Sequence, residues 1–203
     1  MLNQEAKLIE TIKKRRSTRK LIKKEGFNQD LILEILKESM LVPSAFNMQS
    51  YRIVALFGEK SDKLWDLIEN KLFEKLGIEK FEKTRQKEKI QGFRGGNGTL
   101  VFFEDMAVVD EKGNIAKSYK DTFPSWSDQG SGIIQYAVWL LLTAEGYSAS
   151  LQHYHQLIEE DIKKEWSLPP QWRLISQMPF GLNNEEIGAR EFISFEEMVR
   201  VEK

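Results

Sequence analysis

The sequence predicts interleaved helices and strands, of class α/β or α+β. Three observations predict it. Residues 51–57 and 99–103 are short, almost continuously apolar runs bounded by turn residues, as strands buried on both faces are, and 172–178 reads as a further strand. Between them lie segments whose apolar residues recur at helical spacing. One further segment, 127–144, is apolar around nearly its whole circumference from Ile133 to Ala144, the pattern of a buried helix. Gln135, Thr143 and the stop at Glu145-Gly146 make it too short and too interrupted to cross a bilayer.

The elements follow in order. Residues 3–14 place Leu8, Ile9 and Ile12 on one face and predict a first helix. A basic run from Lys13 to Lys20 follows, with Lys23 and Lys24 beyond it. Asn28 can cap a second helix with the apolar face Leu31, Ile32, Ile35 and Leu36, which must stop before Pro43. Residues 43–50 (P-S-A-F-N-M-Q-S) read as a polar, turn-like loop, and 51–57 as a strand central in a sheet. Gly58 turns the chain, and Ser61 caps a helix with Leu64, Leu67, Ile68, Leu72 and Leu76 in step. Residues 77–91 are dense in lysine and glutamate; they read as exposed and partly helical, the place for an excursion from a single domain spanning 1–203.

Residues 92–98 read as a glycine-rich turn before the strand 99–103. Residues 104–126 carry no clear period, but Tyr119, Phe123, Pro124 and Trp126 make an aromatic cluster before the buried helix. Ser127 or Asp128 caps that helix and Gly146 ends it in a left-handed turn. Residues 147–152 read as a strand, with His153-Tyr154-His155 leaving its end. A helix over 157–166 is stopped by Pro169-Pro170, with Glu159-Glu160-Asp161 at its exposed start. The strand 172–178 is ended by Pro179-Phe180-Gly181. The tail is polar until Phe192, Ile193 and Phe195, which need something to pack against.

Composition excludes several functions. The 203 residues suit one domain with a sizeable core. With 41% hydrophobic and 30% charged residues the chain is expected to be globular and soluble. A formal net charge of −1 argues against a nucleic-acid partner and against a membrane-surface role. The absence of cysteine removes disulfides, thiolate catalysis and cysteine-ligated metal centres. The first residues are charged and amphipathic rather than apolar, so the expected location is cytoplasmic.

Four stretches invite a chemical reading. Arg15, Arg16, Ser17 and Arg19 offer guanidinium forks and a hydroxyl within five residues, which suits a phosphate; a solvated basic segment has the same composition. Ser44, Asn47 and Gln49 offer hydroxyl and amide groups that can read the edge of a heterocycle, or simply make a turn. The glycines of 92–98 match neither the G-x-G-x-x-G nor the Gly-Lys-Ser/Thr phosphate loop. His153 and His155 stand two apart, with no third metal ligand suggested nearby, and no G-x-S-x-G elbow supports a nucleophilic triad.

Taken together, six stretches in one order resemble the flavin-dependent nitroreductase family, in its compact branch of small bacterial and fungal members. They are R-R-S-T-R at 15–19, P-S-A-F-N-M-Q-S at 43–50, G-T-L-V-F-F-E-D at 98–105, Y-K-D-T-F-P-S-W-S at 119–127, L-Q-H-Y-H at 151–155 and W-R-L-I-S-Q-M-P-F-G at 172–181. The resemblance implies an α+β fold with a central, mostly antiparallel sheet flanked by helices, and an interlocked homodimer with two FMN sites, each built from both subunits. It implies a ping-pong reduction of nitroaromatics, quinones or similar small acceptors through flavin N5, with NADH or NADPH as donor and no catalytic side chain. Arg15 and Ser17 would hold the FMN phosphate and ribityl chain with Arg16 beside them, and Arg190 would complete the phosphate site. Arg19 would face the N1–C2 edge of the ring, where a cation stabilises charge on reduction. Ser44, Asn47 and Gln49 would come from the other subunit, and Leu151, Gln152 and His153 would line the ring. Tyr119, Phe123 and Trp126 would wall the open face where donor and acceptor stack in turn. The branch's pattern is broken at His155-Gln156, where Asn-Pro is common, and in the short tail. Two other readings share parts of this pattern: a non-catalytic FMN-binding or redox-sensing protein on the same fold, and an interaction domain using Lys13 to Lys24 as a contact patch.

Overall fold

The computed structural model describes residues 4–202; Asn3, where the first predicted helix begins, lies outside them. The chain runs through α1 (Gln4–Lys14), β1 (Leu21–Ile22), α2 (Gln29–Ser39), β2 (Tyr51–Phe57), α3 (Glu59–Lys83), α4 (Gln86–Arg94) and β3 (Gly98–Asp105). It continues through α5 (Met106–Ile115), α6 (Phe123–Ala144), β4 (Ser148–Ala149), α7 (His155–Glu165), β5 (Trp172–Asn183) and α8 (Phe195–Met198). The sheet has the order β1-β5-β3-β2, with β4 added to β5, and every named pairing is antiparallel. The fold is therefore α+β, with the expected antiparallel sheet between helical layers.

β3 is buried at every position, because helices cover both faces of the sheet. On one face Leu100 and Phe102 meet α2 and α6 through Ile32, Ile35, Ile134, Val138 and Leu142. On the other, Val101 and Phe103 meet α3, α4 and α7 through Leu64, Trp65, Ile68, Ile90, Phe93, Ile158 and Ile162. β2 alternates between the same two cores, Ile53, Ala55 and Phe57 toward the first and Val54 and Leu56 toward the second. That double burial explains its continuous apolar run, but β2 pairs only with β3 and is an edge strand, not a central one. An apolar run reports covered faces, not paired edges.

Several boundaries differ from expectation for identifiable reasons. α3 begins at Glu59 after Gly58, and Ser61 is a buried helix residue, 2.8 Å from the Thr99 hydroxyl, rather than a cap. α6 begins at Phe123, because Pro124 sits in its first turn, where a missing N–H costs nothing. Ser127 and Asp128 are therefore interior to the helix. Residues 92–94 belong to α4 rather than to a loop. β5 passes through Pro179-Phe180-Gly181 to Asn183: Pro179 still pairs with Thr99 and its carbonyl still accepts from Ser150 N–H at 3.3 Å. The strand predicted over 147–152 shrinks to β4 and one bridge, Gln152 with Gln177. α7 starts at His155, so Glu159-Glu160-Asp161 lie mid-helix, where Glu159 pairs with Lys163 and Asp161 with Lys71. The Asn28 cap forms as expected, its Oδ1 accepting from Asp30 N–H at 2.9 Å. Residues 77–91 are largely helical, with a bend at Gly77 (φ +70°). No helix among the described residues is long and apolar enough to cross a membrane.

α6 keeps Ile133 and Tyr136 exposed despite its apolar circumference, and Phe192, Ile193 and Phe195 of the tail remain exposed too. Nothing among the described residues covers these faces.

Candidate cofactor and acceptor site

The predicted residues gather into two groups. The first is built on β4. Ser17 bridges Ala149, and Thr18 N–H donates to the Ala149 carbonyl at 3.0 Å, laying the arginine segment along the sheet edge. The Arg15 guanidinium lies 4.4 Å over the Trp139 ring of α6. The tail closes back on this segment: Arg190 donates to the Arg15 and Lys13 carbonyls, and Arg16 Nη2 donates to the Gly188 carbonyl at 2.7 Å. Burial, and then the neighbouring Arg190 charge, push Arg15 below its ordinary value. None of Arg15, Arg16, Arg19 and Arg190 pairs with a carboxylate among the described residues. The neighbouring guanidinium groups of Arg15, Arg16 and Arg190, none of them paired with a carboxylate among the described residues, have together with Ser17 the donor chemistry of a phosphate site.

Next to it, Arg19 N–H and Lys20 N–H both donate to Glu185 Oε1, which fixes the backbone there and leaves the Arg19 side chain out of that bond. Lys89 of α4 is held below its ordinary value by burial and then by Arg19, so the two cations face one neighbourhood. Gln152 exchanges backbone bonds with Gln177 at 2.8 and 2.9 Å, and its Nε2 donates to Ser150 Oγ at 2.7 Å. Gln177 Oε1 also accepts from Tyr154 N–H at 2.9 Å, so one buried amide sets the path of 152–154. Leu151 packs on the core; His153 keeps much of its surface in solvent, while partial burial of its imidazole, and then His155, push it below its ordinary value.

The second group lies on the loop before β2. Ser44 Oγ accepts from Gln49 N–H at 3.0 Å, and the Ser44 carbonyl accepts from Asn47 N–H at 2.9 Å. Phe46, Asn47 and Gln49 all adopt positive φ, a sparsely populated conformation for residues other than glycine. The turn pushes Phe46 outward, onto Trp126 at 5.7 Å in a stacked arrangement, with Phe123 at 5.5 Å and Tyr119 at 6.1 Å. Phe123 is 1% exposed and lies beneath this group, supporting it instead of forming its open face. Tyr119, Phe46 and part of Trp126 form that face.

The two groups stand apart. Trp139 under Arg15 and Trp126 under Phe46 are thirteen residues apart on α6, so about 20 Å separates them along the axis at 1.5 Å per residue.

The parts taken by Phe46, Lys89 and Gln177 are missed by the sequence reading. Phe46 had a signal, an aromatic inside an otherwise polar loop. Lys89 had none, being one lysine among many in 77–91.

Residues 12–182 match the model of the nitroreductase family. The chain is 30% identical over 165 residues to HBN1 of Saccharomyces cerevisiae, covering 81% of this chain and 79% of that protein. Its fold superposes on the nitroreductase CinD of Lactococcus lactis, solved with chloramphenicol, at a TM-score of 0.85 and 36% identity over 96% of this chain and 99% of that one. CinD has also been solved with 4-nitrophenol. A more distant Exiguobacterium sibiricum protein of the same fold, 16% identical at a TM-score of 0.70 over 96% of this chain and 97% of that one, was solved in complex with FMN. The antiparallel sheet, the sequence match and these neighbours agree: the chain belongs to the nitroreductase family, a family of oxidoreductases.

Proposed function

We propose that this chain is an FMN-dependent oxidoreductase that takes electrons from NADH or NADPH and passes them to nitroaromatic, quinone or similar small acceptors, working as a homodimer. The observation that carries the reading is the cluster of Arg15, Arg16 and Arg190 beside Ser17, which no carboxylate neutralises among the described residues. A dianionic phosphate supplies the missing charge. When bound, FMN would supply the redox chemistry between a nicotinamide donor and the acceptor, with Arg15, Arg16, Ser17 and Arg190 holding its phosphate.

The side chains bind, orient and shield. Arg15, Arg16, Ser17 and Arg190 hold the phosphate end. Arg19, with Lys89 beside it, places positive charge at the pyrimidine edge, where negative charge grows on reduction. Leu151, Gln152 and His153 border the ring on a path fixed by Gln177. Ser44, Asn47 and Gln49 reach the cofactor of the partner protomer, and the face of Tyr119, Phe46 and Trp126 receives the acceptor and keeps water from it. The separation of about 20 Å between the two groups favours a site shared by two chains, since one chain would hold the phosphate and the acceptor face at opposite ends of α6. The ligands in the CinD structures support small aromatic acceptors, and the FMN complex of the Exiguobacterium protein supports the cofactor.

Steady-state oxidation of NADH and NADPH with menadione or a nitrofuran tests the activity. Turnover dependent on added or retained FMN is expected. Tight FMN binding without turnover of any acceptor would leave a flavin-binding protein and remove the enzyme.

A further inference from the structure

Glu104 lies in β3 with no solvent exposure. Its Oε2 accepts two hydroxyl hydrogen bonds, from Ser50 Oγ at 2.5 Å and Ser127 Oγ at 2.7 Å. Its Oε1 has no hydrogen-bond partner among the described residues. Ser50 and Ser127 are themselves buried. Ser50 closes the loop that carries Phe46, and Ser127 follows Trp126 on α6. One buried oxygen therefore joins the two segments that present the aromatic face.

Core packing does not explain an acid here. A buried carboxylate with an unsatisfied oxygen opposes folding, and a leucine would fill similar space without that cost. Two hydroxyl donors, however, need an acceptor that demands nothing in return, and a carboxylate is acceptor-only. The loop also needs restraint, because positive φ at Phe46, Asn47 and Gln49 persists only where the surroundings over-determine it. The Ser50 carbonyl is already held by Asp105 N–H at 2.8 Å, so the Glu104 bond adds a second tie at the same residue.

We infer that Glu104 is a positioning residue: it ties the loop 44–50 to α6 and so holds Phe46 and Trp126 as one rigid surface for a flat acceptor ring. The inference rests on the proposed reading of that surface as the acceptor site.

Glu104→Leu removes the acceptor, Ser127→Ala removes one arm, and Glu104→Gln keeps an acceptor oxygen with two lone pairs. Each variant is assayed for KM and kcat with menadione, which is flat, and with ferricyanide, which has no ring to stack. Each is also examined for the near-ultraviolet circular dichroism band that Trp126→Phe abolishes in the parent protein. Glu104→Leu is expected to raise KM for menadione about tenfold, the scale of one or two lost net hydrogen bonds. Its ferricyanide parameters stay within about twofold on the same scale, and the Trp126 band weakens. Ser127→Ala moves the same quantities less, and Glu104→Gln restores them. An equal effect on both acceptors, or none on either, overturns the inference. Should Glu104→Leu fail to fold, Ser127→Ala decides by the same criteria. Should the parent reduce neither acceptor, the acceptor-site reading fails, and an intact Trp126 band in Ser127→Ala would overturn the clamp by itself.

Discussion

A carboxylate sealed inside a sheet makes stability depend on pH in an unusual direction. Burial pushes Glu104 above its ordinary value near 4.5, against the smaller downward pull of the Ser50 and Ser127 hydrogen bonds and of Arg173. Between the ordinary value and the raised one, the folded chain holds a proton that the unfolded chain has released. Stability therefore falls as pH rises through that window, and above it the fold carries the whole cost of the buried charge. Glu104→Gln is expected to raise Tm at pH 7, by about 2–4 °C for each kcal/mol regained in a chain of this size. The gain should shrink as pH falls toward 4.5. Thermal unfolding across pH checks it; an unchanged or lowered Tm at neutral pH contradicts the account. At this scale the arginine cluster was legible, because guanidinium groups around a hydroxyl have few other uses. Glu104 was not, since a glutamate after an apolar strand looks the same whether it leaves the sheet or stays inside.

Among the elements, α4 shows how a glycine pattern read as a turn can begin inside a helix, with the turn itself confined to residues 95–97. An atom at the Cβ position of Gly92 would lie 2.2 Å from the Arg19 carbonyl oxygen, and one at Gly95 would lie 2.3 Å from the Leu21 carbonyl oxygen. These glycines let a helix press against the segment that carries Arg19. Gly92→Ala is therefore expected to cost about 1–3 kcal/mol, the usual penalty of overpacking. It should also weaken FMN binding, because the segment must move. A thermal scan and an FMN titration check both; a variant with parental Tm and affinity would show that the contact yields freely. β3 was legible because two covered faces leave an apolar run, and the first part of β5 was legible despite its buried polar Ser176 and Gln177. The starts of α3 and α6 were not, since Ser61 and Ser127 resemble caps in sequence yet serve as buried hydroxyls. Pro124 held the better signal for α6.

For the whole molecule, the order of six short stretches carried the family, while each stretch alone was weak. The resemblance already implied a site built from two subunits; what one sequence could not display is that Tyr119, Phe123 and Trp126 stand with the loop 44–49, at the opposite end of α6 from the arginine segment. The uncovered faces of Ile133, Tyr136 and the tail, with Phe192 at 79% exposure, are consistent with a second chain that completes the site. Ile133→Glu is expected to give a monomer that no longer retains FMN, read by light scattering behind size exclusion and by the flavin content of the peak. A flavin-loaded dimer would contradict the shared site. The central claim is tested most directly by the visible absorption spectrum of freshly purified or FMN-reconstituted protein, before and after anaerobic addition of NADH and of NADPH. Flavin bands that bleach with either nucleotide are the expected result. Bands that persist with both would leave the fold and remove the reductase, and no bands even after reconstitution would contradict the assignment of Arg15, Ser17 and Arg190 to a cofactor phosphate.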